Sequence, residues 1–158
     1  MSRRVGIGYD SHRFQPGIPL RLGGVTIEHS HGLAGHSDGD AVFHAITDAL
    51  LGAASLGDIG SMFPDSDPKW KDADSRTFIR GAVEALASQK LAVHNVDVTV
   101  ITESPRLRPH VEAMCAATAA ALGIDIRNVS IKAKSNEGMG WIGRGEGLAA
   151  IAVATIES

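Results

Sequence analysis

Cysteine, aromatic residues and long apolar runs are what this sequence has least of. A single cysteine, Cys115, excludes an intrachain disulfide and makes a reducing, cytoplasmic setting the simpler expectation. Aromatic residues make up 4% of a chain that is 44% hydrophobic, so the core has to be built from Ala, Val, Ile and Leu. No apolar run reaches the roughly 20 residues of a transmembrane helix. Met1-Ser2-Arg3-Arg4 leads into a strand-like segment rather than a signal peptide, so no membrane partner is expected. Positive charge is not in excess. Fifteen Lys and Arg against 18 Asp and Glu give a formal net charge of −3, which argues against general nucleic-acid binding but leaves room for a local basic pocket around a phosphorylated small molecule. No repeat, linker or low-complexity segment divides the 158 residues, and one domain over 1–158 is expected.

Hydrophobic periodicity gives the elements. Val5 to Tyr9 reads as a strand, and Leu20 to Ile27 as another with a kink or turn at Gly23-Gly24. His29 to Gly35 reads as a loop. Ser37, with Asp40 three residues on, predicts a capping-box-like helix start, and Val42, Ala45, Ile46, Ala49, Leu50 and Ala53 then recur at helical spacing. Phe63-Pro64-Asp65-Ser66-Asp67-Pro68 is a long polar loop, and such loops are often functional. A second helix is predicted over Ser75 to Gln89, with Phe78, Ile79, Val83, Leu86 and Ala87 on its apolar side. A strand follows over Val93 to Thr102, where Val96, Val98 and Val100 alternate with Asp97, Thr99 and Ile101. A third helix over Pro109 to Leu122 stops at Gly123, with Val111, Met114 and Cys115 read as core. Val129 to Ala133 and Leu148 to Ile156 are the last strands. The order β-β-α-α-β-α-β-β predicts an α+β sandwich, one mainly four-stranded sheet with helices on one face.

The chemistry concentrates in Asp10-Ser11-His12, Gly35-His36-Ser37-Asp38-Gly39-Asp40 and His44. Asp and His at i and i+2 of a strand share a face, and Asp40 and His44 share one if that segment is helical. Asp10, His12 and His44 together offer one carboxylate oxygen and two imidazole nitrogens, the three-ligand set of a catalytic zinc site with an open fourth position. Asp38, Asp40 and Asp48 crowd His44, either as carboxylates orienting the imidazole or as the solvated face of a helix. His36 and Ser37 lie at the mouth of that helix, where free N–H groups favour an anion; Ser37 as a plain cap is the alternative, and both can hold together. Gly138-x-Gly140-x-x-Gly143 matches a dinucleotide fingerprint only formally. No helix is expected after it, and no βαβ unit fits in what remains, so a tight turn is expected. Lys132, Lys134 and Arg144 bracket that turn, to meet phosphates or to form a solvated face.

Taken together these segments resemble one family, the 2-C-methyl-D-erythritol 2,4-cyclodiphosphate synthases. The resemblance runs over nearly the whole chain: Gly8-Tyr9-Asp10-Ser11-His12, His36-Ser37-Asp38-Gly39-Asp40, Thr47 to Ala54, Leu56-Gly57-Asp58-Ile59-Gly60, Phe63-Pro64-Asp65-Ser66-Asp67, Asn95-Val96-Asp97, Lys132 to Glu137, and Gly143-Arg144-Gly145-Glu146-Gly147. It implies a cytoplasmic lyase of the non-mevalonate isoprenoid pathway. In that reaction 4-diphosphocytidyl-2-C-methyl-D-erythritol 2-phosphate cyclises and releases CMP, through attack of its own 2-phosphate on the β-phosphorus. No protein nucleophile is then needed, and none of the Ser/His/Asp or Cys/His arrangements is present.

Carried over by motif, Asp10, His12 and His44 would hold one Zn2+ per subunit, and Glu137 would help hold a second divalent ion, Mg2+ or Mn2+, between the α- and β-phosphates. His36, Ser37 and Ser135 would contact phosphate oxygens, with His36 and Ser135 stabilising the transition state. Asp58, Ile59 and Gly60 with Phe63, Pro64, Asp65, Ser66 and Asp67 would bind the methylerythritol part. Thr102, Glu103, Ser104, Pro105, Arg106, Leu107 and Arg108 would hold the cytidine end, together with Lys134, Ser135, Asn136 and Glu137. Arg144 would add a phosphate contact near Trp141. The family is a homotrimer with its active sites between subunits, which would explain how one short chain carries metal-binding and cytidine-binding segments far apart in sequence. Ser135, Trp141, Arg106 and Ser11 depart from the family's frequent Thr, Phe, Lys and Val; Ser135 keeps the hydroxyl, and Ser11 points away from its neighbouring ligands. A metal-dependent phosphohydrolase of nucleotide diphosphates and a non-enzymatic trimeric metal- or isoprenoid-binding protein are the competing readings.

Overall fold

The computed structural model describes all 158 residues, Met1–Ser158. In chain order the elements are β1 (Arg3–Pro16), β2 (Leu20–Leu22), β3 (Val25–Ile27), β4 (His31–Leu33), α1 (Ala41–Ala53), α2 (Ile59–Met62), α3 (Arg76–Ser88), β5 (Ala92–Ile101), α4 (Val111–Leu122), β6 (Val129–Lys134), α5 (Gly140–Gly143) and β7 (Gly147–Glu157). Short 3-10 turns lie at Pro68–Trp70, Arg108–His110 and Ile126–Asn128. The α+β class stands, but the sheet has five strands rather than four, in the order β4-β1-β7-β5-β6, with β2-β3 as a separate hairpin. The added strand β4 lies in the segment read as a loop. It pairs antiparallel with the far end of β1 through Phe14↔Leu33 and Pro16↔His31. β1 is also longer than its apolar stretch, because its polar half, Asp10 to Arg13, stays paired with β7.

Alternation along the strands separates two faces. On the covered face lie Val96, Val98 and Val100 of β5, Leu148, Ala150, Ala152, Ala154 and Ile156 of β7, and Val129 and Ile131 of β6. α1 is buried on nearly every side, through Val42, Phe43, Ile46, Leu50 and Leu51. Each such side chain contributes about 1.5–3 kcal/mol by burial. β1 meets this helix through Gly6 and Gly8. A Cβ on Gly8 would fall 1.8 Å from the Ala45 carbonyl oxygen, and one on Gly6 would fall 1.9 Å from that of Ala49. Strand and helix therefore touch backbone to backbone, with no side chain between them.

The other face carries Val5, Ile7, Tyr9 and Val153, which are 67%, 70%, 55% and 38% exposed. Ile7 pairs with Val153 and Tyr9 with Ile151, so these side chains form one apolar patch.

In α3, Ala82 is buried with Phe78, Ile79 and Leu86, while Ala87 is exposed. The glycine-rich segment is a tight connection as expected, but it includes the single helical turn α5. It leads to β7, which runs antiparallel between β1 and β5, so the glycine motif opens no βαβ unit.

Candidate metal centre and active site

Asp10 and His12 project from the covered face of β1 onto α1, where His44 meets them. His12 Nε2 lies 2.7 Å from Asp10 Oδ2, His44 Nδ1 lies 3.2 Å from the same oxygen, and the two ring nitrogens are 3.2 Å apart. One ligand atom from each residue lies within 4.8 Å of the others. The outward nitrogens are also engaged. His12 Nδ1 donates to the Ala34 carbonyl at 2.7 Å. His44 Nε2 lies 2.8 Å from Ser75 Oγ and 3.0 Å from Ser37 Oγ. The two imidazoles thus turn one nitrogen each toward a shared point beside a carboxylate oxygen. This donor set fits a borderline divalent cation such as zinc, with a position left for a further ligand.

Burial alone would push the Asp10 carboxyl up, but hydrogen bonds and charge from His12 and His44 outweigh it and hold Asp10 below its ordinary value. Burial would likewise push His12 down, yet the Asp10 hydrogen bond and charge, with the Ala34 carbonyl, leave it raised.

The carboxylates that crowd His44 in sequence have separate tasks. Asp40, not Ser37, is the helix cap: it accepts from Phe43 N at 3.0 Å. It also accepts from Gly23 N at 2.9 Å and Gly24 N at 2.8 Å, fastening the β2–β3 turn to the start of α1. It is fully buried, and burial pushes its carboxyl up against the pull of these N–H groups. Asp48 accepts from Ile59 N at 2.7 Å and so positions α2; burial raises it too. Only Asp38 reaches the metal cluster, by accepting from the Ser75 hydroxyl.

A cavity of about 210 Å³ opens over the cluster. Its walls are Gly35, His36, Ser37, Ile59, Gly60, Phe63, Asp65, Trp70 and Phe78. His36 Nε2 donates to the Asp67 carbonyl at 3.3 Å, tying the 63–67 loop to the metal-bearing segment. Phe63 stacks edge-on against Trp70 at 5.0 Å and tilts onto Phe78 at 4.9 Å. Trp70 and Ser75 escaped the sequence reading, and Phe78 was assigned only to the core. The one sequence signal for Ser75 is its place at the start of a predicted helix. Asp58 caps α2 and is exposed; its bonds with Ser61 hold its carboxyl below the usual range. Pro64 and Ser66 are exposed on the same loop and do not line the cavity.

The segments expected at the cytidine end also come together, but elsewhere. Glu103 Oε1 accepts from Asn136 N at 2.8 Å and Gly138 N at 3.3 Å, and Thr102 N donates to the Lys134 carbonyl at 2.9 Å. Thr102 Oγ1 donates to the Ser104 carbonyl, across the turn that carries Pro105. Arg108 and Lys134 border a separate cavity with Lys132 and Ala133, while Arg106 is exposed and Leu107 is buried. Glu137 is exposed, 3.5 Å from Ser135 Oγ. It stands outside the three-residue cluster. Trp141 lines a third cavity with His12, Arg13 and Glu146. Arg144 pairs with Glu146 at 2.7 Å, and Lys132 pairs with Asp97, both in exposed ion pairs. The Asp10/His12/His44 cavity and the cavity bordered by Arg108 and Lys134 share no lining residue.

Comparison with known proteins gives the family. The model of the YgbB family matches residues 3–157. The 2-C-methyl-D-erythritol 2,4-cyclodiphosphate synthase of Salinibacter ruber is 55% identical over 155 residues, 98% of this chain and 99% of its own. The synthase of the same name from Gemmatimonas aurantiaca is 57% identical over 153 residues, 97% of this chain and 92% of its own. A solved 2C-methyl-D-erythritol-2,4-cyclodiphosphate synthase in a CDP-bound form superposes with a TM-score of 0.90 at 35% identity, over 98% of this chain and 100% of that one. An Asp/His/His cluster in a five-stranded α+β domain, matched over nearly its full length by enzymes of one name, leaves a single assignment: the chain belongs to the YgbB family, that of the 2-C-methyl-D-erythritol 2,4-cyclodiphosphate synthases.

Proposed function

We propose that this chain converts 4-diphosphocytidyl-2-C-methyl-D-erythritol 2-phosphate to 2-C-methyl-D-erythritol 2,4-cyclodiphosphate and CMP, as a phosphorus–oxygen lyase of the non-mevalonate route to isoprenoid precursors. The observation that carries this reading is the convergence of Asp10, His12 and His44 beneath a cavity walled by imidazole, hydroxyl and aromatic groups. An oxygen of the substrate's 2-phosphate forms a bond to the β-phosphorus. The bond from that phosphorus to the bridging oxygen breaks, and the electron pair leaves with CMP. The protein has to hold two phosphates in line and offset their charge.

Asp10, His12 and His44 would hold one Zn2+ per subunit, which would supply Lewis-acid polarisation of a phosphate oxygen. His36 and Ser37, at the cavity wall beside the cluster, donate to phosphate oxygens as charge shifts during the reaction, and Ser135 does so from the other end. Glu137 would help hold a second divalent ion, Mg2+ or Mn2+, which would offset phosphate charge. Asp58, Ile59, Gly60 and the Phe63 to Asp67 loop take the methylerythritol part. Thr102 to Arg108 with Lys134 to Glu137 take the cytidine end, and Arg144 near Trp141 adds a phosphate contact.

The homotrimer belongs to the same proposal. Two observations support it: the uncovered apolar patch of Val5, Ile7, Tyr9 and Val153, and the separation of metal and nucleotide ends within one chain, which an active site between subunits resolves. The partners are then the cytidine diphosphate substrate and two further copies of this chain, in the cytoplasm. No helix is long and apolar enough to cross a membrane.

Phosphorus NMR of the protein with this substrate and Mg2+, with and without a zinc chelator, tests the reading. CMP with a cyclic diphosphate, suppressed by the chelator, is the expected result. CMP with an open-chain phosphate would make the chain a phosphohydrolase instead, and no turnover with any metal would leave only a binding protein.

A further inference from the structure

His12 and His44 each need a proton on the outward nitrogen so that the inward one keeps its lone pair for a cation. His12 obtains this from a backbone carbonyl, Ala34 O, which can only accept. His44 has no such partner. Its Nε2 faces two hydroxyls, Ser75 at 2.8 Å and Ser37 at 3.0 Å, and a hydroxyl can donate as readily as accept. A donating hydroxyl would place the lone pair on Nε2, and the proton would then sit on Nδ1, the atom that faces Asp10 and His12.

Asp38 removes this ambiguity. Its Oδ1 accepts from the Ser75 hydroxyl and from Asp40 N at 3.1 Å, and its Oδ2 accepts from Ser75 N at 2.9 Å. The only proton of the Ser75 hydroxyl is thus committed to Asp38, and Ser75 Oγ presents lone pairs to His44. Nε2 must then carry the proton. Ser75 is fully buried, so water does not compete for it. A second consequence concerns Ser37: since Nε2 is a donor, the Ser37 hydroxyl proton is not used there and remains for a ligand in the cavity.

We infer that Asp38 and Ser75 are positioning residues that fix the tautomer of His44 and thereby set the cation affinity of the Asp10/His12/His44 site. This rests on the reading of that cluster as a metal site. Partners behind ligating imidazoles are worth roughly 10–100-fold in metal affinity. Ser75→Ala removes the acceptor. Asp38→Asn brings a donor to a position where the structure needs only acceptors, whichever way the amide turns. Ser75→Thr keeps the hydroxyl.

The test uses the full chain freed of metal. Nitrogen-15 shifts of the imidazoles report which ring nitrogen is protonated, and competition against a chromophoric chelator reports zinc affinity. At a pH above the raised value of His12, where Asp10 no longer holds a second proton on that ring, both His12 (proton on Nδ1) and His44 (proton on Nε2) should show a single tautomer in the unaltered protein. In Ser75→Ala and Asp38→Asn the His44 signal should move toward a mixture, with zinc bound roughly 10–100-fold more weakly, while His12 stays unchanged as the internal control. Ser75→Thr should restore both readouts. A His44 signal unmoved in both variants would overturn the inference. So would simultaneous loss of the His12 and His44 signatures, which would mean a collapsed pocket. Failure of the unaltered protein to bind zinc would instead defeat the metal reading, and the tautomer measurement in metal-free protein stays separate from it.

Discussion

The metal cluster stands on a strand of 14 residues and a helix of 13 that touch backbone to backbone, whereas Glu103, Ser135 and Glu137 stand on exposed connections after strands β5 and β6. The first site is held by packing and by outward partners for each ring. The second is held by two N–H bonds to a single carboxylate oxygen. A cation needs its ligands within a few tenths of an ångström, and rigid elements supply that. On the proposed reading the second site meets a flexible nucleotide, for which loops are suited, and the division of labour follows the tolerance of each ligand.

The comparison can be broken first at His44. His44→Ala should abolish zinc binding and lower turnover by roughly 10²–10³-fold or more, with the fold intact by circular dichroism and CDP still bound; near-normal turnover in metal-free buffer would remove zinc from the mechanism. Next in size is Gly8→Ala. Its Cβ cannot fit beside Ala45 O, so α1 must move, costing about 1–3 kcal/mol in thermal unfolding and weakening zinc. Gly6→Ala, one helical turn from the cluster, should match that stability loss with a smaller effect on zinc. Equal zinc losses would mean that the seat of the helix does not tune the site locally.

Glu103→Ala addresses the other end. It frees the two N–H groups at Asn136 and Gly138, and calorimetry should show CDP binding weakened roughly tenfold, for about 1–1.5 kcal/mol of lost hydrogen bonding, with zinc content unchanged. A fall in zinc as well would join the two ends within one chain.

The smallest effect is one of pH. In metal-free protein the His12 contribution to stability is complete below its ordinary value of 6.5 and is lost as pH rises through the raised value set by Asp10. The Asp10 contribution is present above the ordinary carboxylate range and is lost as pH falls through its lowered value. Zinc requires His12 without its extra proton. From about pH 6 to about pH 8 the melting temperature of metal-free protein should therefore drift down while the gain from added zinc grows. Parallel curves with and without zinc would separate the cation from His12.

How much of this the sequence announced depended on the kind of signal. α1, α3 and β5 were legible because apolar residues recur at a fixed period and the structure buries most of those positions, Ala87 and Val83 of α3 being exposed and half-buried. The cluster was legible because Asp-x-His on a strand shares a face. β4 was not: three residues around Gly32 carry no period, and their strand character comes only from pairing with β1. The start of α1 was misplaced by three residues because Ser37 and Asp40 are equally good caps locally. The choice fell to Asp40 through its bonds to Gly23 and Gly24, which are distant in sequence. Ser75 and Trp70 were invisible as site residues for the same reason, since their roles exist only once the chain after α2 folds back on His44 and Phe63.

The backbone contact between β1 and α1 also has a meaning at the level of the gene. Every missense change at the codons for Gly6 and Gly8 adds at least a Cβ, and the smallest such addition already meets a carbonyl oxygen at under 2 Å. No conservative replacement exists there. Asp10, His12 and His44 are visible to selection through their chemistry, but the spacing between them is carried by two residues that have none, and drift at those two positions would dismantle the site without touching a ligand.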